Sequence, residues 1–257
     1  MAALVHTTGI VLSRRDHREA DRWYCVYTKE FGKMDLLARG GHKPLAKLTP
    51  HLEFPAEVEF LVVRGRQLDT IAGTERRVAY PRAYADYTRL TLLQNALHLV
   101  DMGTRPHEID RVLYDELAHW LAFIDAAPAL SAERAGFLLG SFALKLLALL
   151  GYRPELHRCL GCRTDIAAGA YRWHALKGGV VCDGCVVEDQ ETWFAARATK
   201  DETLKLVRFA LMESFDAQLR PHLPGVVLAD FHETVESLIV SHFPTIPAAS
   251  LRSACLV

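Results

Sequence analysis

Four cysteines stand in two pairs of identical spacing, Cys159-Leu-Gly-Cys162 and Cys182-Asp-Gly-Cys185, with 19 residues between the pairs. Thiolates are strong zinc ligands, and the two residues inside each pair let both sulfurs face one point. Four thiolates complete a tetrahedral shell with no open position, so the spacing predicts one structural Zn²⁺. The alternatives are unpaired thiols, two disulfides, or His157 or His174 in place of a thiolate. With four cysteines present, we expect both histidines at the surface.

Complete catalytic signatures do not occur in the sequence. His51-Leu52-Glu53 fits the first half of the zinc nucleobase deaminase pattern, but Arg158 stands where a proline should precede the cysteine pair. Gly32-Lys33 is followed by Met34, which rules out a Walker-type phosphate loop, and no His-Glu-x-x-His or Gly-x-Ser-x-Gly motif occurs. Cys25 is interpreted as a small core residue. The sequence therefore predicts a protein that is not an enzyme.

Basic side chains gather in the connecting segments of the N-terminal third. Aromatic side chains alternate with them: Trp23, Tyr24, Tyr27, Phe31, Phe54 and Phe60. Binding of single strands needs cations for phosphates and flat rings for bases, so this mixture favours nucleic-acid binding. The alternative is that the cations are solvated and about half of the rings are core. The candidate DNA contacts are Arg14, Arg15, Arg18, Arg22, Lys33, Arg39, His42, Lys43 and Lys47.

The elements that must position these residues begin with strands. Alternation of apolar and polar residues, with turn residues between runs, predicts five strands at 5–12, 23–28, 33–39, 57–63 and 68–74. Residues 43–54 leave room for one short helix between the third and fourth strands. That order is typical of an OB-fold, a small five-stranded barrel. Another small barrel is the alternative.

Helical spacing of apolar residues takes over after residue 80. Helices are predicted at 84–102, 108–126, 204–219 and 228–243, and a long apolar helix runs from an N-cap at Ser131 to Gly151. Thr199 and Glu202 suggest a capping box. The glycine-rich segment 152–198 carries the four cysteines and has few periodic apolar positions. We therefore predict an α+β protein with a DNA-binding OB-fold at 1–80, a helical domain at 81–257 and a zinc-binding insert at 152–198.

Charge is distributed unevenly along the chain. Of 257 residues with a net charge of −1, residues 1–82 hold 14 Lys and Arg against 10 Asp and Glu, while the remainder is net acidic. A basic N-terminal third suits a polyanionic ligand. The first residues show no signal peptide, and the most apolar stretch, 135–151, is too short for a membrane span. We expect a cytoplasmic, nucleoid-associated protein with reduced cysteines.

Six short segments stand in a fixed order along nearly the whole chain: Gly9-Ile-Val-Leu, Glu19-Ala-Asp-Arg22, Thr28-Lys-Glu-Phe-Gly-Lys33, Leu37-Ala-Arg-Gly-Gly41, Val63-Arg-Gly-Arg66 and Leu149-Leu-Gly-Tyr152-Arg-Pro154. Together these segments resemble the bacterial RecO (recombination protein O) family of DNA repair proteins.

This resemblance implies an OB-fold that binds single- and double-stranded DNA and anneals complementary strands. It also implies RecA loading together with RecR, and contact with the acidic C-terminal tail of the single-stranded-DNA-binding protein. Lys145 matches a basic position of the partner-binding region, whereas Ala143 replaces a Glu that often follows the Phe matched by Phe142. The main hypothesis is thus a non-catalytic recombination mediator in DNA-damage repair. The rivals are a zinc-ribbon protein–protein adaptor that does not bind DNA, and a zinc hydrolase or deaminase.

Overall fold

The computed structural model describes residues 3–18, 20–41, 52 and 55–243. By its internal contacts the chain divides into two units, Met1–Ala127 and Pro128–Val257. The predicted boundary at residue 80 coincides with the change from strands to helices, and as a domain boundary it stays a prediction. The short helix predicted at 43–54 lies in a stretch of which only Leu52 is described.

Five strands form a barrel in the first unit. They are β1 (Ala3–His17), β2 (Asp21–Thr28), β3 (Gly32–Ala38), β4 (Ala56–Arg64) and β5 (Asp69–Ala79). The pairings run β1-β2-β3-β5-β4, and β4 pairs back to β1. The β3–β5 contact is the narrow seam of this ring, because it consists of two parallel residue pairs. The five-stranded OB-fold prediction is confirmed.

Alternation along the strands builds the barrel core. Every second side chain of β4 points inward from Ala56 to Val62, which is the period-two pattern of a half-buried strand. Tyr24 and Phe60 are fully buried, whereas Trp23 on β2 is only half-buried. The aromatic residues therefore divide between core and surface, which agrees with the alternative that about half of the rings belong to the core.

Among its described residues the first unit also has three helices: α1 (Pro81–Ala85), α2 (Tyr87–Gly103) and α3 (Arg111–Ala126). The carboxylate of Asp86 caps α2 by accepting the backbone N–H of Arg89 at 3.1 Å, and Asp110 caps α3 in the same way. Arg89 is 9% exposed and donates to the carbonyl oxygens of Ile124 and Asp125 at 3.1 and 2.7 Å. These bonds fix α2 against the end of α3.

The end of α2 is joined to the barrel by polar contacts. The carboxylate of Asp101 accepts from Ser13 on β1 at 2.9 Å, from Cys25 on β2 at 3.3 Å and from Lys33 on β3 at 3.2 Å. Gly32 approaches the α2–α3 loop so closely that a Cβ there would lie 2.1 Å from the carbonyl oxygen of Glu108. Its φ of +67° also favours glycine.

The second unit begins with α4 (Ala132–Leu149), which Ser131 caps as predicted, its hydroxyl accepting from the N–H of Arg134 at 3.3 Å. The cysteine module follows as β6 (Tyr171–His174), β7 (Gly179–Cys182), α5 (Asp183–Glu188) and β8 (Arg197–Ala198). Its strands form a small sheet in the order β7-β6-β8. The segment predicted as a loop-rich insert therefore contains a compact sheet.

Two further helices lie in the described part of the unit, α6 (Asp201–Met212) and α7 (Gly225–His242). The predicted helix 204–219 is wrong at its end, because a separate 3-10 turn occupies residues 217–219. The capping box is also wrong: Lys200 is the N-cap of α6 and no side chain caps it, while the buried hydroxyl of Thr199 has no hydrogen-bond partner among the described residues. No described helix is long and apolar enough to cross a membrane.

Candidate metal centre and nucleic-acid groove

The four cysteine sulfurs converge on one point of the module. Cys159 and Cys162 stand in the turn before the small sheet, Cys182 ends β7 and Cys185 lies in α5. The four Sγ atoms all lie within 4.8 Å of one another, and those of Cys162 and Cys182 are 3.8 Å apart. A tetrahedral zinc with Zn–S distances of about 2.3 Å has sulfurs about 3.8 Å apart. The cluster therefore has the dimensions of a metal site.

Backbone N–H groups also point at these sulfurs. The Sγ of Cys159 accepts from the N–H groups of Gly161 and Cys182, each at 3.3 Å. The Sγ of Cys182 accepts from the N–H of Cys185 at 3.5 Å. Such donors stabilise a thiolate relative to a thiol, which is the form that binds metal. The turns therefore bring the sulfurs together and also favour the thiolate form that could bind a metal.

The four thiols ionise unequally because of these surroundings. Hydrogen bonds from Thr164 lower the pKa of the Cys162 thiol to about 6. Burial raises the pKa of the Cys159 thiol, but backbone N–H groups outweigh burial and leave that pKa below its usual value. Burial raises the pKa of the Cys185 thiol to about 12, and the neighbouring thiols add to the rise. A bound dication favours the deprotonated form of every coordinating thiol.

The two histidines considered as ligands occupy different environments. His157 is exposed, as predicted, but His174 is 2% exposed, so the surface prediction is wrong for it. Its Nδ1 accepts the N–H of Lys177 at 3.2 Å, and its ring lies edge-on to Trp193 with centroids 5.7 Å apart. His174 packs the module and is not among the residues that cluster as ligands.

One apolar cluster of the module includes the cysteines. Its buried members are Cys159, Val181, Val186 and Trp193. So small a cluster buries little surface, and one of its four buried members is a ligand candidate. A bound metal would therefore supply much of the folding free energy of such a module.

A second candidate site is a groove of about 670 Å³ on the outer face of the barrel. Ser13, Trp23 and Asp35 bring β1, β2 and β3 to its lining, and the β4–β5 turn and the α2–α3 loop supply the remaining sides. All of these elements belong to the first unit. The groove's basic residues are Arg14, Arg15, Lys33, Arg64, Arg66 and His107.

Carboxylates accompany several of these cations. Arg15 pairs with Asp35 at 3.1 Å and lies 5.8 Å from the ring centroid of Trp23. Arg64 pairs with Asp69 at 3.2 Å. Lys33 is only 15% exposed and donates to both the carboxylate and the carbonyl oxygen of Asp101. The groove lining thus holds more basic than acidic side chains, but it carries charges of both signs.

The structure gathers only some of the predicted DNA contacts into this groove. Arg14, Arg15 and Lys33 line it, while Arg18 and Arg39 are exposed outside its lining. Arg22 is 13% exposed on its side chain and pairs with Asp16 at 2.8 Å. Three predicted contacts lie outside the described residues: His42, Lys43 and Lys47.

The sequence prediction missed groove residues on two loops. Arg64 and Arg66 flank Gly65 in the β4–β5 turn, and His107 lies in the α2–α3 loop. The sequence predicts a hairpin turn at Arg-Gly-Arg. A turn motif alone does not show which face of the barrel its side chains will line. The position of His107 depends on its N–H bond to the carbonyl oxygen of Lys33 at 2.9 Å, which no local pattern encodes.

Lys145, the predicted partner contact, lies on α4 and is half-buried. Its Nζ donates to the carbonyl oxygen of Leu211 at 3.3 Å and lies 5.5 Å from the ring centroid of Phe215. Both contacts fix the ammonium group within the second unit. A partner would have to use the part of this side chain that stays accessible.

The chain combines an OB-fold barrel, whose groove is rich in cations, with a helical unit that carries a four-thiol cluster. These features define an OB-fold protein with a module whose four cysteines lie close enough together to bind a metal ion. The family model described as "Recombination protein O N terminal" matches residues 1–77, and the one described as "Recombination protein O C terminal" matches residues 84–239. The chain therefore belongs to the recombination protein O (RecO) family of DNA repair proteins.

Individual relatives agree with this assignment. A protein named DNA repair protein RecO from Symbiobacterium thermophilum is 30% identical over 190 residues, which are 73% of this chain and 74% of that one. A protein of the same name from Clostridium perfringens is 27% identical over 223 residues, which are 84% of this chain and 89% of that one. That of Alkaliphilus metalliredigens is 26% identical over 251 residues, 98% of each chain.

Proposed function

We propose that this protein is a recombination mediator that binds single- and double-stranded DNA in the barrel groove. In this role it anneals complementary strands and helps to load RecA together with RecR, in the cytoplasm on the nucleoid. The observation that carries the proposal is the cationic groove beside the half-buried ring of Trp23. Membership of a family of DNA repair proteins supports the cellular setting.

Annealing follows from the charges of the groove. Two complementary strands repel through their phosphates, and cations that neutralise phosphates release condensed counterions and weaken that repulsion. Arg14 and Arg66 are both exposed and approach the groove from β1 and from the β4–β5 turn. Trp23 offers part of a ring on which an unpaired base can stack. None of these steps breaks a covalent bond, so the role requires no catalysis.

Zinc belongs to this proposal as a single structural ion. Cys159, Cys162, Cys182 and Cys185 would hold it, because their spacing suits a tetrahedral shell. Four thiolates leave no coordination position for a water or a substrate. This closed shell disfavours the hydrolase and deaminase hypotheses. The ion would instead hold the module together and present its surface to partners.

The groove is tested by removing two of its cations. Arg14→Ala/Arg66→Ala should weaken binding of a labelled single strand severalfold. The slope of log affinity against log salt should fall by about 1.4, since each phosphate contact to a single strand contributes about 0.7. Lys205→Ala/Arg220→Ala is the matched control, because it removes two exposed cations from the other unit. Fluorescence anisotropy between about 50 and 200 mM salt measures both quantities.

Equal affinities and slopes for the two double variants would contradict the groove as the DNA site. Arg39→Ala/Lys43→Ala/Lys47→Ala tests the separate prediction from the sequence that the segment after β3 contacts phosphates. Severalfold weaker binding would extend the site to that segment, and unchanged binding would restrict it to the groove.

The mediator role requires partners as well as DNA. Annealing of complementary oligonucleotides coated with single-stranded-DNA-binding protein, and RecA loading with and without RecR, test this part directly. Lys145→Ala should weaken binding of an acidic C-terminal tail peptide if that tail docks near α4. Unchanged peptide binding would remove Lys145 from the proposed partner site.

The adaptor hypothesis also has one observation in its favour. On the cysteine module the side chains of Val187 and Phe194 are 71% and 85% exposed. Where such side chains form one contiguous apolar patch, they often mark a protein–protein contact site. An adaptor that does not bind DNA would fail the anisotropy assay in its wild-type form, so the same experiment separates the two functions.

A further inference from the structure

Three carboxylates line a groove whose proposed ligand is a polyanion: Asp35, Asp69 and Asp101. Two of them have internal roles. Asp69 pairs with Arg64 and accepts the N–H of Gly65 at 3.1 Å, which shapes the β4–β5 turn. Asp101 joins α2 to three strands through Ser13, Cys25 and Lys33. These contacts account for both carboxylates without reference to a ligand.

Asp35 differs from the other two carboxylates. Its side chain is 53% exposed, and its Oδ2 accepts from Arg15 at 3.1 Å. None of the described residues donates to its Oδ1. A carboxylate in this position repels phosphates, so a groove built only for phosphates is better without it. Its Oδ1 is instead an available acceptor on a residue that lines the groove.

The neighbourhood of Asp35 fits the edge of a nucleobase. On the paired strands β2 and β3, Cys25 stands opposite Asp35 and Trp23 opposite Leu37, so Trp23 and Asp35 are diagonal neighbours. Arg15 touches both, through the ring of Trp23 and the carboxylate of Asp35. Diagonal neighbours across strands lie about 7–8 Å apart, within reach of one planar base. A base stacked beside Trp23 would direct its edge towards Asp35.

We propose that Asp35 makes the groove select unpaired bases over duplex DNA, by accepting hydrogen bonds from exocyclic amino groups. Carboxylates accept from the N4 amino group of cytosine. In a duplex the bases stack on one another instead of on Trp23, and one amino hydrogen of each cytosine is bonded to the partner base. The carboxylate therefore reaches fewer donors there, and its repulsion of phosphates weighs more. This inference rests on the proposed DNA-binding function and adds a basis for strand selectivity to it.

The test compares three labelled probes of about 20 nucleotides: oligo-dC, an abasic strand with the same phosphates, and a duplex. Asp35→Ala should raise affinity for the abasic strand and the duplex, because a repelling charge is lost. Its preference for oligo-dC over the duplex should fall at least about fivefold, the lower range for one lost base contact. Asp35→Asn keeps an acceptor oxygen and should lose less of that preference.

Asp16→Ala is the matched control, because Asp16 is 62% exposed and pairs with Arg22 but does not line the groove. It should leave the ratios among the three probes unchanged. If Asp35→Ala shifts all three affinities by one common factor, the carboxylate acts only as a charge and the selectivity inference is overturned. If the wild-type protein binds none of the probes, the proposed function is itself wrong and the inference falls with it.

Discussion

The geometry of the cysteine cluster makes Gly161 a sensitive position. A Cβ built there would lie 2.9 Å from the Sγ of Cys185, 3.2 Å from its Cβ and 3.4 Å from Cζ2 of Trp193. Ordinary van der Waals contact between such atoms begins at about 3.5 Å, so the Sγ of Cys185 would have to move by about 0.6 Å. Trp193 is buried and also lies close to the added methyl group, which limits relief by the backbone.

A displacement of this size exceeds the tolerance of a zinc site, where ligand distances vary by about 0.2 Å. We therefore expect Gly161→Ala to lower zinc affinity by about 10- to 100-fold, in the range seen when the support of a metal ligand is disturbed. That factor corresponds to about 1.4–2.8 kcal/mol, which the zinc-loaded module should lose from its free energy of unfolding. Competition with a chromophoric chelator measures the affinity, and thermal unfolding with bound zinc measures the stability.

The second pair contains a natural control. A Cβ at Gly184 would have only the Sγ of Cys182 nearby, at an ordinary 3.9 Å, and Gly184 lies within α5. Alanine favours a helix by up to about 1 kcal/mol over glycine, so Gly184→Ala should bind zinc as the wild type does and unfold no more easily. If Gly161→Ala bound zinc with wild-type affinity, the close sulfur packing around the proposed ion would be refuted.

Three further predictions concern stability. Burial, followed by the charge of Lys177, lowers the pKa of His174, so its stabilising contribution is present above the unfolded value of 6.5 and is lost as the pH falls through the lower folded value. Urea unfolding should therefore show stability falling towards about pH 5, with a smaller fall in His174→Asn, which keeps an acceptor for the N–H of Lys177; equal falls would contradict this. Ser131→Ala should lower the free energy of unfolding by about 1 kcal/mol in the same assay, while Thr199→Ala should change it little. Of these two residues, Ser131 caps a helix and Thr199 does not. Arg89→Met should cost about 3 kcal/mol, since it removes a nearly buried cation that donates to two carbonyl oxygens, and a loss below about 1 kcal/mol would show that those bonds contribute little.

Local patterns predicted the parts of the fold that repeat in sequence. The alternation of β4 and the spacing of apolar residues in α4 each report a buried face, and both elements were expected near their observed bounds. β1 extends to His17, beyond its predicted end, because exposed Arg14 and Arg15 continue to pair with Tyr24 and Trp23. The end of β1 is itself exposed at Arg14 and Arg15, so it carries no apolar pattern to detect although it pairs with β2.

The cysteine cluster was predictable because its four members are rare residues at a fixed spacing, whereas the burial of His174 was not. Its burial comes from packing on Trp193 and from the turn at Lys177, and a single histidine in a strand of four residues carries no periodicity. Cys25 is an intermediate case. It is half-buried rather than core, and burial together with Asp101 raises the pKa of its thiol, so it acts as a donor and not as a nucleophile.

The groove shows why strand residues alone do not define the proposed DNA site. Lys33 was expected to contact phosphate, yet its ammonium group is held by Asp101, which lies beyond the predicted boundary at residue 80. A fragment ending at residue 80 would leave Lys33, Ser13 and Cys25 without their shared acceptor and would remove the loop that supplies His107. Its groove would gain an uncompensated cation and lose one side, so it should bind DNA with less discrimination between strands and duplex. We therefore expect the smallest unit with native DNA selectivity to extend past the α2–α3 loop.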